Sequence, residues 1–447
     1  MHPTQCFLQK PATVALVALL TWSTAYAQSV QKMIDEFVQG RLPEWVSLYK
    51  ELHQHPELSL EESESAARIA ARLRALEFTV VEKLGGNGVV GLLKNGDGPC
   101  VMIRGDMDAL PVVEETGLPY ASAVRVTRED GSTVGVMHAC GHDVHQTCLL
   151  ASAETLAKLR DQWQGTLMIL AQPAEEIGAG ARMMIEDDVF KKTVKPDYCL
   201  ALHVSSAVPA GFVTYTPGWA LANVDSVDIT VFGRGGHGSR PNETVDPIVA
   251  ASHVVVALQT IVSRRLEPTE PGVVTVGSFH AGSKHNIIPD EARLQLTVRS
   301  YGEETRKLLL DSIRQITRDT CKALGCEREP EIIIRDHEFT PSTYNDPDLS
   351  ARAANIMERV VGNEKVTTTK PVMGGEDFGR YAATLEVPGF IFWLGSVPQE
   401  RYDASLQENG APLPSIHSSR YYPDPEPTIE TGVRCMTAIA LDLFHNK

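Results

Sequence analysis

The chain has 447 residues, 43% of them hydrophobic, and carries 41 basic against 57 acidic side chains, a formal charge of −16. That content supports a sizeable core, and the length suits two domains better than one. With no Lys/Arg run and no basic amphipathic helix, nucleic acids and anionic membrane surfaces are poor partners.

The N-terminus reads as an export leader, residues 1–27. One lysine in MHPTQCFLQK precedes the apolar run ATVALVALLTW, and STAYA then supplies an Ala-x-Ala site with cleavage after Ala27. The run is too short to span a bilayer, and no other stretch approaches about 18 uninterrupted apolar residues, so no membrane span is expected. Cys6 precedes the apolar run, which argues against a lipid anchor. The expected location is periplasmic or secreted. Losing Cys6 leaves seven of the eight cysteines, an odd number that keeps one thiol out of pairing in an oxidising compartment. Cys140 is the candidate; Cys321 and Cys326 are close enough in sequence to bridge.

From about residue 60, helix and strand alternate. EESESAARIAARLRALEF has helical periodicity, VVGLL and CVMI read as strands, HDVHQTCLLASAETLAKLRD as a helix, GTLMILA and DYCLALHV as strands. This order implies an α/β fold: a mostly parallel or mixed sheet flanked by helices, with ligands bound at the carboxyl ends of its strands. Near residue 220 the pattern changes. SVDITVFG, GVVTVGSF and EARLQLTVRS alternate with period two, as half-exposed antiparallel strands do, and two long helices lie between and after them. After PSTYNDPD the α/β pattern resumes. The expected organisation is a catalytic domain in two parts, 28–221 and 341–447, interrupted by an inserted α+β domain over 222–340.

The stretch HACGHDVH crowds Cys140 and His142 with His138, Asp143 and His145 at the start of a helix. Other metal-seeking groups follow apolar strands: Asp106 and Asp108 in RGDMDALP, Glu175 and Glu176 in AQPAEE, His203 in LALHV, and His417 in SIHS. Taken singly, Asp-x-Asp is commonly a turn or cap, a Glu-Glu pair surface charge, and a strand-end histidine a structural group. Parallel strands would bring all of them to one rim. Thiolate, imidazoles and carboxylate are too many for one tetrahedral ion, but they suit two adjacent divalent cations. Such a pair, about 3.5–4 Å apart, acidifies water and polarises a carbonyl. A base must then take the water's proton, and consecutive glutamates point different ways, so one can bind metal while the other faces water. Asp106 and Asp108 would orient histidines by accepting their free N–H.

RGDMDALP, MHACGHDVH, AQPAEE, LHV, GRGGHGSRP, AGSKHNIIPD, GGEDFGRY and IHS, in that order, resemble the aminoacylase/carboxypeptidase family of co-catalytic metallopeptidases. Within it the chain is most similar to the branch of hippurate hydrolase and the indole-acetyl-amino-acid hydrolases. The resemblance implies metal ligation by Cys140, His142, Glu176, His203 and His417, with Cys140 bridging, and Glu175 as the general base. It also implies an inserted domain that serves as lid and dimer interface. By the same resemblance, His237 of that lid would polarise the substrate carbonyl, usually from a partner subunit, and Asn286 would contact substrate.

The expected activity is an exported, binuclear metal-dependent amidohydrolase, a homodimer or higher homo-oligomer. It would release a carboxylic acid and an amino acid from N-acyl amino acids, using zinc or manganese, with cobalt or nickel also compatible. A periplasmic dipeptidase or carboxypeptidase is the alternative. A non-catalytic metal- or peptide-binding protein is more remote, because a binder has no use for an unligated base beside a complete ligand set.

Overall fold

The computed structural model describes residues 12–128 and 131–445, with side chains from residue 28 onward. The expected leader and its cut after Ala27 therefore lie outside the residues described in full. A long helix, α1 (Ala12–Gln54), leads into α2 (Ser63–Ala75). An eight-stranded sheet follows, built from β1 (Thr79–Leu84), β2 (Gly88–Asn95), β3 (Cys100–Asp106), β4 (Gly165–Gln172), β5 (Tyr198–Pro209), β6 (Val213–Tyr215), β7 (Val366–Thr368) and β8 (Gly389–Val397). Its spatial order is β1-β2-β4-β3-β5-β8-β6-β7. The four central strands β4, β3, β5 and β8 are mutually parallel, while β1, β2 and β6 join antiparallel, so the sheet is mixed.

β3 opens with the apolar run CVMI because it is covered on both sides; all seven of its residues are buried. One face packs Val101, Ile103, Leu167 and Ile169 against α1, α3 (His142–Lys158) and the C-terminal helix Pro425–His445. The other packs Met102, Met168 and Leu170 against Met184, Phe378 and Tyr381. Burying each such side chain stabilises the fold by roughly 1.5–3 kcal/mol before conformational entropy is set against it.

The period-two stretches form a second, four-stranded antiparallel sheet from Asn223–Phe232, Val273–Ala281, Glu291–Ser300 and Glu331–Ile334. Along Asn223–Phe232 burial alternates strictly. Val227, Ile229 and Val231 face the helices Pro247–Leu258 and Glu303–Ala323, which supply Ala250, Val254, Leu309 and Ile313. Asp246 starts the first of these helices: its carboxylate accepts the Ile248 amide at 2.8 Å, and Pro247 sits where no amide is needed.

Among the described residues, Pro247–Arg265 is long and apolar enough to cross a membrane by length and composition alone. Ser252, His253, Gln259 and Thr260 interrupt its apolar run, and its Ala250, Ala251, Val254 and Leu258 pack on the second sheet. The seven described cysteines are unpaired; the Cys326 amide donates to the Cys321 carbonyl at 3.0 Å at a helix end.

Candidate metal centre and cleft

The parallel strands deliver their chemistry to one rim. β3 ends in Asp106, the turn after β4 carries Glu175 and Glu176, β5 carries His203, and α3 begins at His142 beside β3. Cys140 reaches the same point through a tight turn. Gly141 there has φ 80°, and a Cβ on it would stand 2.5 Å from Val204 Cγ2, so glycine is required. His417 arrives from the loop after β8, anchored by its amide donating to Ala139 O at 2.8 Å.

Cys140 Sγ lies 3.5 Å from His203 Nε2 and 3.3 Å from His417 Nε2. His417 Nε2 is 3.5 Å from Glu176 Oε2, and His142 Nε2 is 3.8 Å from both Glu175 Oε2 and Glu176 Oε1. The tautomers are set from behind. His142 Nδ1 donates to Asp108 O at 2.8 Å and His203 Nδ1 to Val204 O at 2.8 Å, which turns both Nε2 lone pairs inward. His142 Nε2 and Glu176 Oε1 are buried with no hydrogen-bond partner among the described residues. Burial, followed by repulsion from Glu376 and Glu176, pushes the Glu175 carboxyl well above its usual range; burial pushes Glu176 up to about 7 and raises the Cys140 thiol. Crowded anionic donors with inward, unpartnered lone pairs are the condition that divalent cations relieve, so the residues fit two such ions.

Asp106 and Asp108 stand behind these residues. Asp108 Oδ1 is 3.3 Å from His142 Nδ1, and Asp108 Oδ2 accepts the Ser59 hydroxyl at 2.6 Å and the Glu176 amide at 3.0 Å. Asp106 holds His145 at 2.6 Å and Arg104 at 2.5 Å. The fully buried Arg104 also pairs with Glu376 at 2.8 Å and Asp377 at 3.1 Å. Nothing in the motif reading pointed to Arg104, although a guanidinium inside a fully buried strand had to find carboxylates.

The centre opens into a cleft of about 1070 Å³ between the two sheets. Its walls include Ile177, Leu221, Val372 and Ile416, together with Arg299 from the second sheet. Arg299 has no carboxylate partner among the described residues: Nη1 donates to Met373 O at 2.6 Å and Nε to Thr297 Oγ1 at 3.4 Å. Sequence reading missed it, because one arginine in an alternating strand looks like solvent-facing charge.

His237 and Asn286 are not brought to this centre. They sit on a short exposed ribbon, Gly236–His237 paired with Ile287–Ile288, where the Gly238 amide donates to Asn286 O at 2.9 Å. The two are neighbours of each other, and neither lines the cleft.

The family model for peptidase family M20/M25/M40 matches residues 102–416, from β3 to the residue before His417. The chain belongs to that family. As an M20 protein it is a metal-dependent hydrolase acting on amide bonds. The M20 chain is 34% identical to thermostable carboxypeptidase 1 of Saccharolobus solfataricus over 411 residues, 91% of this chain and 97% of the relative. It is 39% identical to the hippurate hydrolase of Campylobacter jejuni over 338 residues, 75% of this chain and 84% of the relative. The crystal structure of the YXEP protein of Bacillus subtilis, a dinuclear metal binding peptidase, superposes with a TM-score of 0.73 at 28% identity, covering 92% of this chain and 100% of that one.

Proposed function

We propose that this M20 chain is an exported, binuclear metal-dependent amidohydrolase that cleaves N-acyl amino acids to a carboxylic acid and an amino acid. The observation that carries the reading is the nest itself: Cys140, His142, Glu176, His203 and His417 converge, and Glu175 stands beside them with no ion pair to lysine or arginine among the described residues. When bound there, two divalent ions, zinc or manganese by donor type, would supply an acidified water and a polarised carbonyl.

The chain's own residues do the rest. Glu175, as a carboxylate, takes a proton from water and passes it to the leaving amine, and its burial favours the protonated form it holds between the two transfers. Arg299, without a carboxylate of its own, is placed to receive the amino acid's free carboxylate. The apolar walls from Ile177, Leu221 and Ile416 receive the acyl group. His237 Nδ1 accepts the Ser239 amide at 3.1 Å, which leaves the proton on Nε2 as an outward donor. Standing away from its own cleft, His237 serves the cleft of a partner subunit, with Asn286 beside it.

The hydrophobic leader ending at Ala27 supports export. The carboxypeptidase relatives favour a second reading, cleavage of short peptides from their carboxyl ends. Both are tested by incubating the metal-reconstituted protein with a panel of N-acyl amino acids and dipeptides, with and without chelator. Chelator-sensitive release of amino acid, faster from N-acyl substrates, is expected. Release from dipeptides alone would select the second reading, and no release from any member would overturn both.

A further inference from the structure

Glu62 takes no part in the chemistry above, yet its side chain is fully buried. One oxygen, Oε1, accepts two backbone amides: Leu60 N at 2.8 Å and Ala174 N at 2.8 Å, the latter 112 residues away. The other, Oε2, accepts Asn87 Nδ2 at 3.0 Å, and the same Nδ2 donates to Leu60 O at 3.1 Å. Both amide donors belong to left-handed residues, Leu60 with φ 72° and Ala174 with φ 52°. Residues with a Cβ adopt that conformation only where their surroundings over-determine it.

The location gives the knot its meaning. Ala174 immediately precedes Glu175, and its carbonyl accepts the amides of Ala179 and Gly180 at 3.1 and 3.0 Å, closing the turn on its other side. An ionised carboxylate holds an amide about twice as strongly as a neutral acceptor does. Leu60, tied to the same oxygen, lines the cleft. The backbone angle that aims Glu175 and the position of one cleft wall therefore share a single anchoring atom.

We propose that Glu62 is a positioning residue: its carboxylate holds Ala174 in the left-handed turn that aims Glu175 and couples that turn to the Leu60 wall. The proposal rests on the reading of Glu175 as the base. A residue that merely supported the fold would lower stability and metal content along with rate. A residue that aims the base affects turnover selectively, because small displacements of a reacting group are costly.

The test compares Glu62→Ala, Glu62→Gln, Asn87→Ala and Glu175→Gln in the full chain reconstituted with manganese. Glu62→Ala is expected to lower kcat by about tenfold to a hundredfold, with KM and bound manganese unchanged and faster deuterium exchange at the Ala174 amide. Glu62→Gln keeps one acceptor oxygen but loses the charge and faces Asn87 Nδ2 with a second donor, and is expected to recover part of the rate and the protection. If Glu62→Ala does not fold, Asn87→Ala carries the test, with a smaller loss of kcat in the same direction. Wild-type kcat or an undisturbed Ala174 amide in Glu62→Ala would overturn the proposal. So would loss of manganese in step with rate, or a glutamine variant as impaired as the alanine one. Full activity in Glu175→Gln would instead remove the base assignment, whereas an inactive Glu175→Gln beside a fully active Glu62→Ala would remove only the positioning role.

Discussion

His145 donates its Nδ1 proton to Asp106 Oδ1 at 2.6 Å and accepts the Val204 amide on Nε2 at 2.9 Å. A backbone amide can only donate, so the tautomer is fixed and no lone pair is left for an ion. Burial pushes its pKa down to about 4 against the pull of Asp106, in keeping with a neutral ring. His145, the last histidine of the HACGHDVH cluster, is thus a brace, pinning the strand one residue after His203. His145→Phe fills the space but strands both partners. It should weaken metal affinity about 10–100-fold, read by metal titration, with a loss of about 1–3 kcal/mol in stability. Unchanged affinity would show that the brace is idle.

Arg299 should discriminate by charge. Burial holds its pKa below the usual arginine value, which a carboxylate partner would offset. Arg299→Ala is expected to raise KM for N-acyl amino acids about 10–100-fold, yet leave substrates whose carboxylate is blocked as an amide nearly unaffected. Equal losses on both would mean that the guanidinium shapes the cleft instead of reading charge.

Base and lid histidine can be separated by mixing. Glu175→Gln should keep its metal and lose about 10²–10⁴ in kcat, and His237→Ala should be impaired on its own. If His237 serves the partner's cleft, hybrids of the two variants contain one intact site, and an equimolar, reassorted mixture should regain about a quarter of full activity. A mixture no better than the average of its parents places His237 in its own subunit's site.

His53 sets an alkaline limit on stability. Burial opposes its charge, but hydrogen bonds to Asp143 at 2.7 Å and Glu114 at 3.1 Å outweigh this and raise its pKa from 6.5 to about 9. Its folded value lies above its unfolded one, so the contribution is fully present below pH 6.5 and is lost as pH rises through about 9. The melting temperature should fall across that window and stay flatter in His53→Gln. Identical pH profiles would contradict the assignment.

How much of this could be read from residues alone follows from how each signal works. Cys140, His142, Glu176, His203 and His417 were legible because reactive side chains after apolar strands must meet on one rim if the strands are parallel, and β3, β4, β5 and β8 are. The second sheet was legible from period-two alternation. Glu62 and Arg104 were not, since the partners that give them their place include a backbone amide 112 positions away and carboxylates 272 and 273 positions away. No local pattern encodes such distances. His237 shows the opposite limit, since its motif was plain but the protomer's fold sets it apart from the cleft.

The hydrogen bond from Arg299 to the Met373 carbonyl joins a strand of the second sheet to a loop beside the main one. The guanidinium we assign to the substrate's carboxylate is therefore also a latch between the two halves. The halves cannot swing apart without unfastening it, so the gape of the mouth and the aim of its charge vary together.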